Sequence, residues 1–319
     1  MIRQHGKLTF LSFLLVVLCG NTFAQKIPVI PLDLDSLITV GYATGSLKTL
    51  SGSVEKITEK QMNKDQVTNP LEAIRGRVPG LTIQRGTNGL AALDAVRLRG
   101  TTSLTSGNDP LIIVDGVFGD LSMLTSIYPT DIESFTILKD ASETAQYGSR
   151  GASGVIEVTT KKGMQGRTQV AYNGSFGIST VYKNLKMLSG DEFRSVASER
   201  GISILDKGNN TNFQKEIQQT GLQQNHHVAF YGGSSTSSYR VSLGFMDRPG
   251  VILDEDMKNF TSNMNMNQKM FDGFFDCELG MFGSILKNHN LVDYQKTFYS
   301  AATFNPTYPN HKDPVTNSW

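Results

Sequence analysis

Apolar and polar side chains alternate along several stretches in the second half of the chain. In residues 238–246 every second side chain is apolar, namely Tyr239, Val241, Leu243 and Phe245, while the others are Ser238, Arg240, Ser242 and Gly244. The same alternation is found in residues 170–178, 259–270 and 276–281. Successive side chains of a β-strand point to opposite faces, so each stretch is predicted to be a strand with one apolar and one polar face.

Two kinds of sheet alternate in this way: a soluble antiparallel sheet with one wet face, and a transmembrane barrel whose apolar face meets lipid. The polar face here is rich in asparagine and also carries arginine, aspartate and glutamate, whereas tyrosine, phenylalanine, leucine and methionine occupy the other face. This contrast favours a barrel with a hydrated interior. The joins at residues 232–237 and 271–273 are short and those at 179–224 and after 287 are long, as expected for periplasmic turns and outer loops.

About five strands are predicted after residue 163, whereas closed outer-membrane barrels have at least about eight. We therefore expect the opening strands of an antiparallel transmembrane β-barrel, incomplete in this chain, which by itself should not form a pore. A helix is predicted inside the first long loop, at residues 189–201.

Residues 52–163 have a different pattern of short strands and short helices, which predicts a compact α+β domain. The predicted strands are residues 54–58, 81–84, 96–99, 111–114, 135–138 and 155–160. One helix should start at Asn69, a good N-cap residue followed by a proline. Its buried face should carry Leu71, Ile74 and Val78. A second helix should start at Asp140, which could form a capping box with Glu143, and stop at Gly148.

The beginning of the chain is predicted to be a signal peptide, residues 1–24. Two basic residues precede an apolar core at residues 8–18, and Ala24 ends a cleavage site of the small-x-small type. The core is shorter than the ~20 residues that a transmembrane helix needs. The mature chain should therefore begin near Gln25, with lipidation at Cys19 as the alternative.

Charge and candidate chemistry exclude other classes of protein. The 319 residues include 30 Lys+Arg and 29 Asp+Glu, which provide no basic face for nucleic acid. The glycines of residues 148–154 lack dinucleotide-binding spacing, and His226 and His227 point to opposite faces of a strand, so they cannot share a metal ion. Cys277 remains alone after signal removal and is expected to be a small apolar residue. No catalytic set, metal site or cofactor is predicted.

Ordered sequence blocks within residues 71–163 resemble the plug domain of the SusC/RagA family of TonB-dependent outer-membrane transporters. The blocks are LEAIRGRVPGL at 71–81, RLRG at 97–100, PLIIVDGV at 110–117, DIES at 131–134, LKDAS at 138–142, YGSRGA at 147–152 and TTKKG at 159–163. Gln146 and Ser153 stand where the family usually has Ile and Asn. The resemblance implies a signal peptide (1–24), an arm (25–50), an α+β plug (51–163) and the truncated first strands of the barrel (164–319).

The resemblance also implies which residues carry function. The family keeps its TonB box, a segment that can add as a strand to TonB, at the position of Leu37, Ile38, Thr39 and Val40. The alternative is a strand at the plug edge. The plug signature and plug–barrel interface should be formed by Arg75, Gly76, Arg77, Gly80, Arg97, Arg99, Gly100, Asp115, Gly116, Lys139, Asp140, Tyr147, Gly148, Arg150 and Gly151. The cations could pair with carboxylates of a polar barrel wall, and the glycines suit positive φ or close backbone approach.

The implied function is energised import of a large nutrient, such as an oligosaccharide or a peptide, across the cell outer membrane, with the plug gating the barrel. The implied partners are the inner-membrane TonB complex, a SusD-like surface lipoprotein, the glycan or peptide substrate and outer-membrane lipid. The alternative is a plug-like module that binds or signals without transport. A periplasmic hydrolase would need a nucleophile and a base in one cleft, and the sequence shows no such set.

Overall fold

The structure is a computed structural model, and it describes residues 37–40, 43–46, 53–63, 67, 69–86, 90, 94–104, 107–291 and 293–312. The predicted signal peptide, its cleavage site and most of the predicted arm lie outside the described residues. In the arm, β1 (Leu37–Val40) and β2 (Ala43–Ser46) form an antiparallel hairpin. The first described residue after this hairpin is Ser53.

The predicted α+β domain follows, hereafter the plug; its exact boundaries stay a prediction. Its strands are β3 (Val54–Thr58), β4 (Leu81–Gln84), β5 (Ala95–Leu98), β6 (Leu111–Val114), β7 (Val117–Gly119), β8 (Ile132–Leu138) and β9 (Val155–Thr160). Its helices are α1 (Pro70–Ile74), α2 (Leu121–Thr125) and α3 (Ala141–Thr144), with 3-10 turns at Pro129–Asp131 and Ala145–Gly151. One sheet has the order β3-β8-β9-β6-β7, in which only β6 and β9 are parallel, and β4 pairs with β5.

The main core of the plug lies on one face of the five-stranded sheet. Phe135 and Ile137 of β8 and Ile156 of β9 are fully buried there, together with Leu71 and Ile74 of α1. Burying each of these side chains contributes about 1.5–3 kcal/mol. The plug therefore has a hydrophobic core of its own.

The two predicted helix starts have different outcomes. Asn69 caps α1 as predicted, since its Oδ1 accepts a hydrogen bond from Leu71 N at 3.0 Å. Asp140 makes no capping bond to α3, so the predicted capping box is wrong. Its carboxylate instead accepts from Ser53 N at 2.5 Å and pairs with Arg99, because the start of β3 lies closer to it than the helix amides do.

Four of the predicted plug strands have the predicted bounds, and two differ. β5 is shifted by one residue, to Ala95–Leu98, and it ends before Arg99 because this residue has a left-handed backbone, with φ of 58°. β8 begins three residues early, at Ile132, because this residue already pairs with Thr160 of β9. No helix in the described part of the chain is long and apolar enough to cross a membrane.

A five-stranded antiparallel sheet, hereafter the wall, follows the plug. Its strands are β10 (Gly166–Ser179), β11 (Gly221–Gly233), β12 (Ser237–Pro249), β13 (Asp256–Met270) and β14 (Phe275–His289), paired in chain order. The predicted alternation is confirmed: Leu243 and Phe245 are 42% and 37% exposed, whereas Arg240 and Ser242 are 7% and 1% exposed. The face that carries Arg240 and Ser242 is the inner face. In the described residues the sheet is not closed.

Polar side chains bound the apolar outer face at both ends. At the end with tight turns, the polar residues of the cross-strand row are Ser237 and Gln268. At the opposite end, they are Asp247, Lys258 and Lys287. The strand register sets the rows between them, which include Tyr239, Leu243, Phe245, Phe260 and Ile285. The outer face is thus an apolar band between two polar rows.

At the end opposite the tight turns, a long segment joins β10 to β11. It contains α4 (Gly190–Glu199), which lies within the helix predicted at residues 189–201 and is capped by Ser189 in a capping box with Glu192. α5 (Phe213–Glu216) follows in the same segment, and α6 (Tyr294–Thr303) lies after β14.

Candidate plug–wall interface

A buried carboxylate connects the plug to the inner face of the wall. Asp131 ends the 3-10 turn before β8 and is 2% exposed. Its Oδ1 accepts from Arg240 Nη2 at 2.8 Å and lies 3.1 Å from His227 Nε2, and its Oδ2 accepts from Ser242 Oγ at 2.6 Å. Arg240 and His227 are themselves buried, on two neighbouring wall strands. These four residues are hereafter the Asp131 anchor.

The electrostatics of the Asp131 anchor favour the ionised carboxylate. Burial raises the pKa of Asp131, but the hydrogen bonds and charge of His227, with the bonds from Ser242 and Arg240, outweigh it and lower the pKa below 3.8. Stability from this lowered pKa is present above pH 3.8 and is lost as the pH falls through the lowered value. The carboxylate of Asp131 is therefore ionised at neutral pH.

Tyr128 adds an apolar contact beside the Asp131 anchor. Its ring stacks on His227 at a centroid distance of 4.7 Å and an interplanar angle of 18°. It also clusters with Met246 and Met257, two buried methionines of the inner face. The ring of Tyr128 lies over Gly244. Because Gly244 has no side chain, the ring can occupy the space that a Cβ would fill.

Replacing Gly244 by valine is expected to displace Tyr128. A Cβ at this position would lie 2.5 Å from both Tyr128 Cδ2 and Thr261 Oγ1. Overpacking of this kind costs about 1–3 kcal/mol, so limited proteolysis of the protein in native membranes should cleave the plug faster. Gly283→Val is the matched control, since a Cβ there meets only Ser262 Oγ, at 3.9 Å. Equal cleavage of the two variants would contradict this account.

A second chain of hydrogen bonds runs from a plug turn to β13. Asp115, left-handed with φ of 46°, accepts from Thr160 N at 2.9 Å and from Thr160 Oγ1 at 2.6 Å. Asn265 Nδ2 of the wall then donates to Thr160 Oγ1 at 3.3 Å. Lys162 pairs with Glu278 of β14 close by. Asp115 of the plug signature thus positions the residue that meets the wall.

The plug also contacts the wall at the end of the wall opposite the tight turns. Leu90 N donates to Glu255 Oε1 at 3.0 Å, in the loop between β12 and β13. Beside this contact is a cavity of about 340 Å³ between plug and wall. Its lining includes Asn69, Glu72, Arg85, Arg248, Glu255 and Tyr294. Burial raises the pKa of Glu255, which the amide of Leu90 and the charge of Arg248 only partly offset. The cavity is polar and carries charges of both signs.

The structure places the predicted interface cations against plug residues. Arg75 lies 3.5 Å from Asp94, Arg77 Nε donates to Asn63 at 2.9 Å, Arg97 to Thr101 at 3.4 Å, and Lys139 Nζ to Glu55 at 2.6 Å. Arg99 pairs with Asp140, and the guanidinium of Arg150 lies 5.8 Å from the ring centre of Phe118. Their contact with a barrel wall stays a prediction.

The remaining signature residues shape the plug backbone. Positive φ angles are found at Gly76, Gly80, Gly100, Gly116 and Gly148. At Gly151 an added Cβ would lie 2.7 Å from Thr144 O, so close approach requires glycine there. Tyr147 is half-buried and packs edge-on against Phe118, with ring centres 6.1 Å apart. The TonB-interaction role of Leu37, Ile38, Thr39 and Val40, which form β1, also stays a prediction.

Sequence reasoning missed the residues of the Asp131 anchor. Asp131 is the first residue of one of the signature blocks, and Arg240 lies on the predicted polar face. The sequence position of each residue could therefore have indicated a role at the interface. His227 was considered only as a metal ligand; as predicted, it lies on the face opposite His226, whose Nδ1 is 2.7 Å from Tyr172 Oη on the outer side. The wall residues of the anchor lie 96 to 111 residues after Asp131 in sequence, so no local pattern could join them to it.

Comparisons with known proteins agree with this architecture. Residues 46–155 match the family model of the TonB-dependent receptor plug domain. The TonB-dependent receptor SusC of Bacteroides thetaiotaomicron is 35% identical over an alignment of 296 positions, and the match covers 88% of this chain and 29% of SusC. TonB-dependent receptor P3 of Formosa agariphila is 34% identical over 267 residues, 83% of this chain and 26% of P3.

A solved structure shows the same arrangement. The RagAB peptide importer in the open-open state matches with a TM-score of 0.74 and 26% identity, over 81% of this chain and 33% of that chain. The chain spans about a third or less of the length of these relatives. The chain therefore carries the plug domain and the adjoining wall strands of a TonB-dependent receptor of the SusC/RagA type.

Proposed function

We propose that this chain is the gated part of an outer-membrane importer that takes up an oligosaccharide or a peptide with energy delivered by TonB. The observation that carries the proposal is the Asp131 anchor. It seats a plug with its own hydrophobic core on the polar inner face of a sheet whose other face is apolar. A binding or signalling module without transport has no need for this seating inside a wall.

The chemistry of the interface suits a gate. The described contacts between plug and wall are mainly hydrogen bonds and ion pairs, with a small apolar cluster around Tyr128. Water can replace polar contacts when the two surfaces separate, whereas the core of the plug stays apolar and intact. Separation is therefore less costly than unfolding of the plug.

The arm supplies the link to TonB in this proposal. Within the described residues β1 pairs only with β2, so one edge of β1 has backbone donors and acceptors that are not used in the hairpin. A strand of the TonB complex can add there through main-chain hydrogen bonds. Force applied to β1 then reaches the plug through the chain.

The polar cavity beside Leu90 is the proposed meeting place of ligand and plug. It opens at the end of the wall opposite the tight turns, between residues of the plug and residues of the wall. Carboxylates, arginines, an amide and a tyrosine can bind the hydroxyls of a glycan or the main chain of a peptide. RagAB is described as a peptide importer, and a SusD-like surface lipoprotein is the proposed partner that delivers the ligand.

The test is uptake by cells that lack the gene or carry it. Two fluorescent pools, one of mixed oligosaccharides and one of mixed oligopeptides, are supplied with and without a functional TonB complex. One pool should accumulate only when both the gene and TonB are present, and a fall of about tenfold is expected without either. Binding at the surface without TonB-dependent accumulation of any pool would refute transport and favour the binding module.

A further inference from the structure

β3 has fewer strand pairings and fewer buried apolar side chains than the interior strands β8 and β9 of the plug sheet. It lies at one edge of the sheet and pairs only with β8, over five residues. It contributes one buried apolar side chain, Ile57, to the main core. By contrast β8 and β9 are interior strands, and Phe135, Ile137 and Ile156 are inaccessible to solvent. Removing β3 therefore exposes far less apolar surface than removing β8.

Two ion pairs lie near the start of β3. Lys139 Nζ lies 2.6 Å from Glu55, and its side chain is only 6% exposed. Asp140 accepts from Ser53 N at 2.5 Å and pairs with Arg99. Ser53 O also accepts from Lys139 N at 3.4 Å. These residues, hereafter the β3 clasp, hold Ser53 and the first residues of β3.

The β3 clasp and the Asp131 anchor lie at opposite ends of β8. Asp131 immediately precedes β8, whereas Lys139 and Asp140 immediately follow it. Lys139 lies eight residues after Asp131, which is about 26 Å of strand at about 3.3 Å per residue. β8 is thus held to the wall at one end and to the start of β3 at the other. A pull that arrives through the arm loads the β3 clasp before it loads the anchor.

We propose that β3 is the release strand of the plug: pulling on the arm opens the β3 clasp and detaches β3 from β8, while β8 and β9 stay on the wall. The strand pairs open in order, starting at Val54 and Leu138, where the load enters. The proposal rests on the proposed function and specifies which part of the gate moves. The signature residues Arg99, Lys139 and Asp140 then set the resistance of the gate.

Two disulfides that share one cysteine test the proposal. Lys56 of β3 and Glu157 of β9 are both cross-strand partners of Thr136 on β8. Partner Cα atoms in antiparallel strands lie about 4.5–5.5 Å apart, within the range that a disulfide spans. The variants are Lys56→Cys with Thr136→Cys, and Thr136→Cys with Glu157→Cys. Both are made in the intact receptor with Cys277→Ser, since Cys277 is exposed.

The readout is TonB-dependent uptake of whichever fluorescent pool the Cys277→Ser receptor accumulates. Oxidised Lys56→Cys/Thr136→Cys should lose about nine-tenths of uptake and regain it with a membrane-permeant reductant, which shows that the protein is folded. Oxidised Thr136→Cys/Glu157→Cys should transport normally. Normal uptake with the β3–β8 disulfide closed would overturn the proposal, and so would equal, reversible loss in both variants. Absence of TonB-dependent uptake in the Cys277→Ser receptor itself would instead refute the proposed function.

Discussion

Replacing Asp131 by alanine should detach the plug from the wall while leaving the plug core folded. The substitution leaves the guanidinium of Arg240 and the ring of His227 buried without the carboxylate that they share. Removing one partner of a buried ion pair costs about 3–5 kcal/mol, because the other charge stays uncompensated. In native membranes the plug should become sensitive to protease at denaturant concentrations that leave the unaltered receptor protected.

Two variants separate the anchor from a general effect of charge. Glu133→Ala removes an exposed acid two residues further along the chain, in β8, and should leave the protection of the plug unchanged, within about 0.5 kcal/mol. Asp131→Ala combined with Arg240→Met removes both charges and should recover much of the lost protection, since no uncompensated charge is left. Full protection in Asp131→Ala alone would show that the anchor does not hold the plug.

Replacing Leu37 and Ile38 together by proline should abolish uptake while ligand still binds at the cell surface. Proline has no backbone donor, and strand addition to the arm depends on backbone donors. The expected loss is nearly complete because force then has no route to the plug. Uptake and surface binding of the fluorescent pools are measured on the same cells.

The matched control is the double substitution Leu37→Ala with Ile38→Ala. It shortens the same two side chains but keeps both backbone donors, so uptake should persist at a substantial fraction of its normal rate. Equal loss in both variants would mean that side-chain contacts, rather than strand addition, recognise the arm. Normal uptake in the proline variant would place the TonB contact elsewhere in the chain.

Local pattern was sufficient to predict most of the strands and α1. Four plug strands have the predicted bounds because apolar runs and turn residues define both of their ends. These strands are Val54–Thr58, Leu81–Gln84, Leu111–Val114 and Val155–Thr160. The two faces of the wall were predictable for a similar reason. A period of two residues fixes the side on which Arg240 or Leu243 lies, whatever packs against it.

Pairing between distant residues was not predictable in the same way. Asp140 has the sequence context of a helix cap, yet it binds Ser53, 87 residues earlier in the chain. Lys139 likewise pairs with Glu55, 84 residues earlier in the chain. A charge pattern shows that a side chain needs a partner but not which strand supplies it. Only the relative placement of β3, β8 and the wall decides these pairings.

The distance between the two polar rows on the outer face of the wall gives the height of the apolar band between them. About ten residues separate Ser237 from Asp247 along β12, which is about 33 Å of strand at about 3.3 Å per residue. With the usual barrel tilt of about 40°, this corresponds to about 25 Å along the membrane normal, the height of the lipid-facing band in outer-membrane barrels. The wall strands are therefore matched to the hydrocarbon thickness of the outer membrane.

This length also gives the depth of the Asp131 anchor. Arg240 and Ser242 lie three and five residues from the row at the tight-turn end, so they are about 8–13 Å into the hydrocarbon layer at the same rise and tilt. The buried carboxylate consequently lies in the leaflet nearest the tight turns. A force applied from the side of the tight turns therefore needs to reach through only about half of the bilayer to act on the Asp131 anchor.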